Sequence, residues 1–316
     1  MDIQTILFVT KFETLWFDAL ASLLDLRKAA LEHVVFLNVI EREKVALHRG
    51  RGYQKREEIK LREMANIRFI DWAETLFEQG MEVGAYIVVG NLQQQVIRTS
   101  EKENVDLIVI GNEKKKRFEL FFSPSDVIEI LRRSHKPVLV YKYRGNGGSQ
   151  ENKPFQRPLI ATCFSNTMRK VFAYLKKLDR IIEEVTIVHV ADPGKLQQGS
   201  AMAIQKTRLV TRRKLDEACD ELTAAGIRAT PKVYVGDPVR EIEIAARECN
   251  ATMIVAGTAH KKTIAERFVG GTPRALVEKS AFPTLLVPPD PDQRKQQPRR
   301  STGGNPPQRR GVTHGI

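Results

Sequence analysis

The sequence predicts an α/β protein built as two tandem, doubly wound domains, each with a five-stranded parallel sheet. Three observations predict it. Segments recur at a fixed offset: Val89-Gly90-Asn91 returns as Val235-Gly236-Asp237, Ile108–Gly111 as Ile254–Gly257, and Lys136–Leu139 as Phe282–Leu285, always 146 residues later. A repeat this long can bury its own core, so it marks a duplicated domain and not a short-period solenoid. Near-continuous apolar runs alternate with longer helical runs, the signature of a parallel sheet covered on both faces. The length of 316 residues suits two domains of about 150.

In the first copy the strands are expected at Ile6–Thr10, Val34–Val39, Ala85–Val89, Leu107–Ile110 and Val138–Tyr141. A helix with Leu15, Ala19, Leu20, Leu23 and Leu24 at three- and four-residue spacing follows the first strand. A long charged helix follows the second, and shorter ones lie around Val96-Ile97 and Val127–Leu131. In the second copy the strands are expected at Leu159–Thr162, Val185–His189, Lys232–Val235, Met253–Ala256 and Thr284–Val287. Right-handed crossovers between parallel strands then leave the doubly wound sandwich as the topology. The domain bounds are 1–143 and 157–288, with a Gly-rich flexible linker at 144–156. The first copy is about six residues longer near 46–60, where Arg49–Arg56 reads as a basic loop entering the charged helix.

Hydrophobic content of 42% is that of an ordinary soluble protein. Cys163, Cys219 and Cys249 lack metal-ligand spacing and form no disulfide framework, so a reducing compartment is expected. The start, Met1-Asp2-Ile3-Gln4, has no basic n-region or cleavage pattern, and no apolar run approaches the roughly 20 residues of a membrane span. The expected location is cytoplasmic. The net charge of +13 includes +4 in the Pro-, Gly- and Gln-rich residues 289–316. That stretch is expected to be a disordered basic tail with a solubilising role; binding to nucleic acid or an acidic surface is the alternative.

In open parallel sheets, ligands bind beyond the carboxyl ends of the strands. After the fourth strand the second copy reads Gly257-Thr258-Ala259-His260-Lys261-Lys262, then Gly270-Gly271-Thr272-Pro273. Gly257 is read as permitting a tight turn and Gly270-Gly271 a close backbone approach. Thr272 is read as capping a helix that starts at Pro273. Free amides there, with Lys261 and Lys262, would hold phosphate oxygens. Cys163 ends the first strand near this point and is read as a small buried cysteine. His189 is read as structural, and Phe118, Phe121 and Phe122 as packing residues.

With these residues the chain resembles tandem universal stress protein domains, over about 1–143 and 157–288. That family carries a Gly–two residues–Gly–nine residues–Gly–Ser/Thr pattern after its fourth strand, which wraps the ribose and phosphates of ATP or AMP in nucleotide-binding members. The resemblance implies a Rossmann-like fold of the adenine nucleotide alpha hydrolase type. It implies a stress-response or regulatory protein that binds ATP or AMP in its second domain, through Gly257, His260, Lys261, Gly270, Gly271, Thr272, Gly236, Asp237 and Cys163. His260 stands for the second Gly of the pattern, and one residue is inserted before Thr272. In the first copy Lys114 replaces that Gly and Pro124-Ser125 the last pair, so its site is expected to be degenerate. The family's Asp near the adenine is Lys11 in one copy and Cys163 in the other. A scaffold acting through protein contacts, without nucleotide, is the alternative. No paired carboxylates, nucleophile–base set or metal cluster is evident, so no enzyme activity beyond slow incidental ATP hydrolysis, and no metal, is expected. The resemblance also implies intramolecular pairing of edge strands 138–141 and 284–287, with a homodimer as a further option.

Overall fold

The fold is seen in a computed structural model, which describes residues 2–10, 14–45, 52–111, 122–142, 153–192, 194, 201–260, 267–268 and 271–289. Strands β1 (Thr5–Val9), β2 (His33–Glu41), β3 (Glu82–Gly90), β4 (Leu107–Gly111) and β5 (Val138–Tyr141) make the first half-sheet. Strands β6 (Pro158–Ala161), β7 (Val185–Ala191), β8 (Ala229–Val235), β9 (Met253–Gly257) and β12 (Thr284–Val287) make the second. Between β9 and β12, where the sequence predicts a loop, lies a two-stranded antiparallel ribbon, β10 (Ala259–His260) and β11 (Arg267–Phe268).

The helices are α1 (Thr14–Leu23), α2 (Arg42–Val45), α3 (Lys55–Glu78), α4 (Leu92–Lys102) and α5 (Pro124–Arg133) in the first domain. In the second they are α6 (Met168–Leu175), α7 (Ala201–Thr223), α8 (Pro238–Glu248) and α9 (Gly271–Lys279). Amphipathic spacing builds them. In α5, Val127, Ile128, Ile130 and Leu131 are buried while Arg132 and Arg133 close the last turn, where cations suit the helix dipole. The first core layer is aromatic: Phe36 meets Phe8 edge-on at 6.1 Å and Trp72 at 5.6 Å between ring centroids. Phe122 is buried in the core, in keeping with a packing role; Phe118 and Phe121 lie outside the described residues.

The half-sheets join into one sheet of order β3-β2-β1-β4-β5-β12-β9-β6-β7-β8. Every neighbouring pair is parallel except β5 and β12, which run antiparallel, with Leu139 opposite Leu285 and Val138 opposite Leu286. Leu139 and Leu285 are equivalents under the 146-residue offset, and the pairs on either side of them are exchanged, so a pseudo-twofold axis passes between these two residues. Both side chains are fully buried. Burying a leucine contributes roughly 1.5–3 kcal/mol, and each domain also covers what would be the other's exposed apolar edge. This is the edge-strand pairing expected from the sequence.

A buried cation reinforces the joint. Lys142, just past β5, is 9% exposed. Its Nζ donates to Leu276 O at 3.0 Å, Val277 O at 2.9 Å and Ser280 O. A first-domain ammonium thus caps the carbonyl end of α9 in the second domain. The sheet's carboxyl edge in that domain is where the candidate site sits.

Candidate functional site

A cleft of about 280 Å³ opens beyond the carboxyl ends of β6, β7 and β9. Its walls are apolar, from Ala161, Val188, Val190, Ile242 and Ala256; its polar groups come from Thr162, Cys163, His189 and Thr272. Gly257, Gly271, Pro238 and Pro273 complete it. The cleft lies where β6 and β9, neighbours in the sheet, send the chain to opposite faces, which is the switch point of an open α/β sheet.

Four of the nine residues expected from the sequence line this cleft: Cys163, Gly257, Gly271 and Thr272. His260 sits in the ribbon, with its backbone paired to Arg267. Lys261 and Gly270 lie outside the described residues, as do Lys11 and Lys114. Gly236 and Asp237 sit at the start of α8. Asp237 Oδ1 accepts the Arg240 N–H at 2.9 Å, so this carboxylate is engaged as the helix N-cap. It borders a neighbouring groove that also touches Gly271 and Thr272.

Three local expectations change. Gly257 does not make a left-handed turn. A Cβ there would stand 2.9 Å from Thr167 Cγ2, so the glycine serves close packing of β9 against the start of α6, and Thr167 Oγ1 donates to Thr258 O at 2.9 Å to fix that contact. Thr272 is not the cap of α9, because the helix begins at Gly271. Threonine and proline then occupy the first turn, where a missing N–H breaks no intrahelical bond. Cys163 is exposed, because β6 ends at Ala161 and the chain turns outward two residues later.

That outward turn was invisible in the sequence. Phe164 adopts φ of 57°, a left-handed conformation that aromatic residues avoid and that costs of the order of 1–3 kcal/mol. Two contacts hold it. Its N–H donates to Thr162 Oγ1 at 2.9 Å, and its ring lies 4.7 Å from that of His189. His189 Nδ1 in turn is 3.0 Å from Thr162 O. Thr162, Phe164 and His189 therefore brace one wall of the cleft, in keeping with a structural role for His189.

The start of α9 has room for a ligand. Among the described residues, a Cβ on Gly271 would meet nothing within 4 Å, and the first amides of a helix have no intrahelical acceptor. The start of α5 is closed. Ser123 Oγ accepts the Asp126 N–H at 3.1 Å, and the Asp126 carboxylate accepts the Ser123 N–H at 3.3 Å, a reciprocal capping box. Gln93 Nε2 also donates to Asp126, at 2.5 Å. The Asp126 carboxylate thus occupies the first turn of α5.

The sequence profile of the universal stress protein family matches residues 2–142 and 154–288. The chain belongs to the universal stress protein family. Over 87 residues it is 30% identical to universal stress protein MJ0577 of Methanocaldococcus jannaschii, a match covering 28% of this chain and 54% of that protein; the chain thus spans about half the length of the curated relative it matches. Among solved structures, a universal stress protein from Archaeoglobus fulgidus superposes with a TM-score of 0.67 at 21% identity, covering 91% of this chain and 99% of that one. A putative universal stress protein from Pseudomonas aeruginosa gives 0.60 at 18% identity, covering 91% and 94%. At these identities the structural likeness speaks for the fold alone: an α/β sheet of two tandem universal stress protein domains. Among the described residues no helix is long and apolar enough to cross a membrane. Nor does any group of three or more His, Cys, Asp or Glu among them form a metal site.

Proposed function

We propose that this universal stress protein acts as a regulatory binder of an adenine nucleotide, ATP or AMP, in its second domain only, without catalysing a reaction of its own. The observation that carries this reading is the contrast between the two helix starts. Among the described residues nothing stands within 4 Å of a Cβ on Gly271 at the start of α9, while the first amides of α5 are capped by Ser123 and Asp126. A helix N-terminus with free amides favours anionic oxygens through both hydrogen bonding and the helix dipole. The apolar wall of Val188, Val190 and Ile242 offers a flat base the burial that a ligand pocket needs. Phosphates on Gly271 and Thr272 with the base toward Cys163 account for the whole cleft. Asp237 keeps its capping role beside the phosphates.

The test is direct. Protein purified without added nucleotide is denatured, and the released small molecules are identified by mass spectrometry. ATP or AMP at a substantial fraction of one equivalent per chain is expected. No nucleotide in the extract, together with no binding when ATP and AMP are added back, would favour a scaffold that works through protein contacts.

A further inference from the structure

The two domains also differ at the opposite, amino edge of the sheet, and there the charge inverts. A cavity of about 360 Å³ lies at the amino ends of β6, β9 and β12. Lys153, Arg157 and Arg247 line it, with Asn250 and Thr252 as neutral polar groups and Phe282 as part of the apolar floor. Tyr141, reaching across from β5 of the first domain, also borders it. Among the described residues lining the cavity there is no carboxylate.

The pseudo-twofold supplies a control within the same molecule. Sheet register pairs Ile6 with Leu107 and Pro158 with Met253, so Arg157 corresponds to Thr5, Arg247 to Glu101 and Thr252 to Asp106. The shared architecture is retained: Thr252 Oγ1 accepts the Arg157 N–H at 2.9 Å, just as Asp106 accepts those of Gln4 and Thr5 at 2.9 and 3.1 Å. Asn104 and Asn250 share the same left-handed turn, at φ of 45° and 50°. On one scaffold, the first domain carries two carboxylates and the second carries two guanidinium groups. Packing does not require the two arginines, because the first domain builds the same turns without them, with Lys136 donating to Asn104 Oδ1 at 2.9 Å where the second domain has Phe282.

Among the described residues, the internal pairing of these cations is slight. Arg157 donates through Nε to Asn250 O at 3.1 Å, which orients a guanidinium that lines the cavity. Arg247 meets Glu243 at 3.6 Å, and Glu243 also accepts the Ala281 N–H at 3.0 Å. Lys153 meets Asp25 at 3.3 Å, a carboxylate shared with Lys28 at 3.5 Å. Each pair is long and partly exposed, so it is weakly held. Forked guanidinium groups match phosphate oxygens two at a time.

We infer that this cavity is a second, separate binding site, and that it takes a small phosphate-bearing anion. Because Tyr141 belongs to the first domain and the other named groups to the second, an anion held there would also tie the domains together at the edge of the sheet remote from the nucleotide cleft.

Pyrophosphate binding to the full chain, measured by calorimetry, tests this in three proteins: wild type, Gly271→Val, and a double variant, Arg157→Thr with Arg247→Glu, which installs the residues of the first domain. The inference expects saturable binding to wild type, retained in Gly271→Val and weakened at least about tenfold in the double variant, as for loss of charge-assisted hydrogen bonds. Should the double variant fail to fold, Arg247→Glu alone carries the test, since that side chain is 68% exposed. No saturable binding to wild type overturns the inference. So does binding that survives the arginine changes, or binding lost in Gly271→Val, which would assign the anion to the nucleotide cleft.

Discussion

The helix after the fourth strand starts differently in the two domains, although the strands before it superimpose in register. In the first domain Pro124 follows Ser123, whose hydroxyl pairs with Asp126 to close the amide ring on itself. In the second domain the helix starts with Gly271-Thr272-Pro273, and among the described residues nothing stands within 4 Å of a Cβ on Gly271. After duplication, one copy thus carries a capping box at its helix start, and the other a helix start whose first residues, Gly271 and Thr272, line the cleft. The lesson is that a capping box and an anion site compete for the same N–H groups. A sequence that perfects one gives up the other.

The largest expected effect comes from filling that space. Gly271→Val places a branched side chain where the phosphates are proposed to lie, and ATP affinity should fall about 100-fold or more, equivalent to about 2.8 kcal/mol. Because no atom of the described residues lies within 4 Å of that Cβ, the melting temperature should stay within a few degrees. Ser125→Val at the closed helix start should leave binding unchanged. Equal losses from both changes would mean the two helix starts are equivalent after all.

Next is the joint between domains. Lys142→Met keeps the aliphatic stem but removes the donor to three carbonyls at the end of α9. Lost charge-assisted hydrogen bonds in a buried setting cost about 2 kcal/mol, so thermal denaturation should shift down by roughly 4–8 °C. The offset places Pro288 as the counterpart of Lys142, so the second domain has no matching tie, and the loss should be felt first at α9. An unchanged melting temperature would show that strand pairing of β5 and β12 carries the joint alone.

A smaller effect is expected from Ser123→Ala, which removes the cap of α5 and should cost about 1 kcal/mol in urea unfolding. It should not create a nucleotide site, since Asp126 still occupies the helix start. Gain of a second ATP site in this variant would mean the cap alone had kept the first domain empty.

The smallest is a rate difference between thiols. Cys163 is exposed on the cleft, whereas Cys219 is buried, and burial followed by Asp216 and Asp220 pushes its thiol from 9.0 up to about 11. Since the thiolate is the reactive form, a thiol reagent at pH 8 should label Cys163 first and Cys219 last, and ATP should slow the first step. The raised value also fixes a sign. The buried neutral thiol contributes stability below about pH 9, and that contribution is lost as pH rises through about 11. Cys219→Ala should therefore flatten the alkaline fall in stability.

Much of the fold was legible because its signals are local. Val138–Tyr141 and Thr284–Val287 appear with the bounds expected, each set off by a preceding proline. The outer strands were harder to read. β3 starts at Glu82 and β8 at Ala229, three residues before the expected Ala85 and Lys232. Both are edge strands, half exposed, so their apolar pattern thins; Pro231 in β8 would rule out a central strand but not an edge. The site was legible in part. Gly257 and Gly271 were found, yet the reason for Gly257 is the approach of Thr167, a contact some 90 positions away that no local pattern encodes. Phe164 was missed, since nothing in an aromatic residue announces a left-handed turn; tertiary contacts with Thr162 and His189 impose it.

The claim that one domain binds and the other does not is tested most directly by stoichiometry. Wild-type chain, stripped of any bound nucleotide, is titrated with ATP and separately with AMP in a calorimeter. The account predicts saturation at one nucleotide per chain for at least one of the two ligands. Saturation at two per chain, or no heat from either ligand, would contradict it.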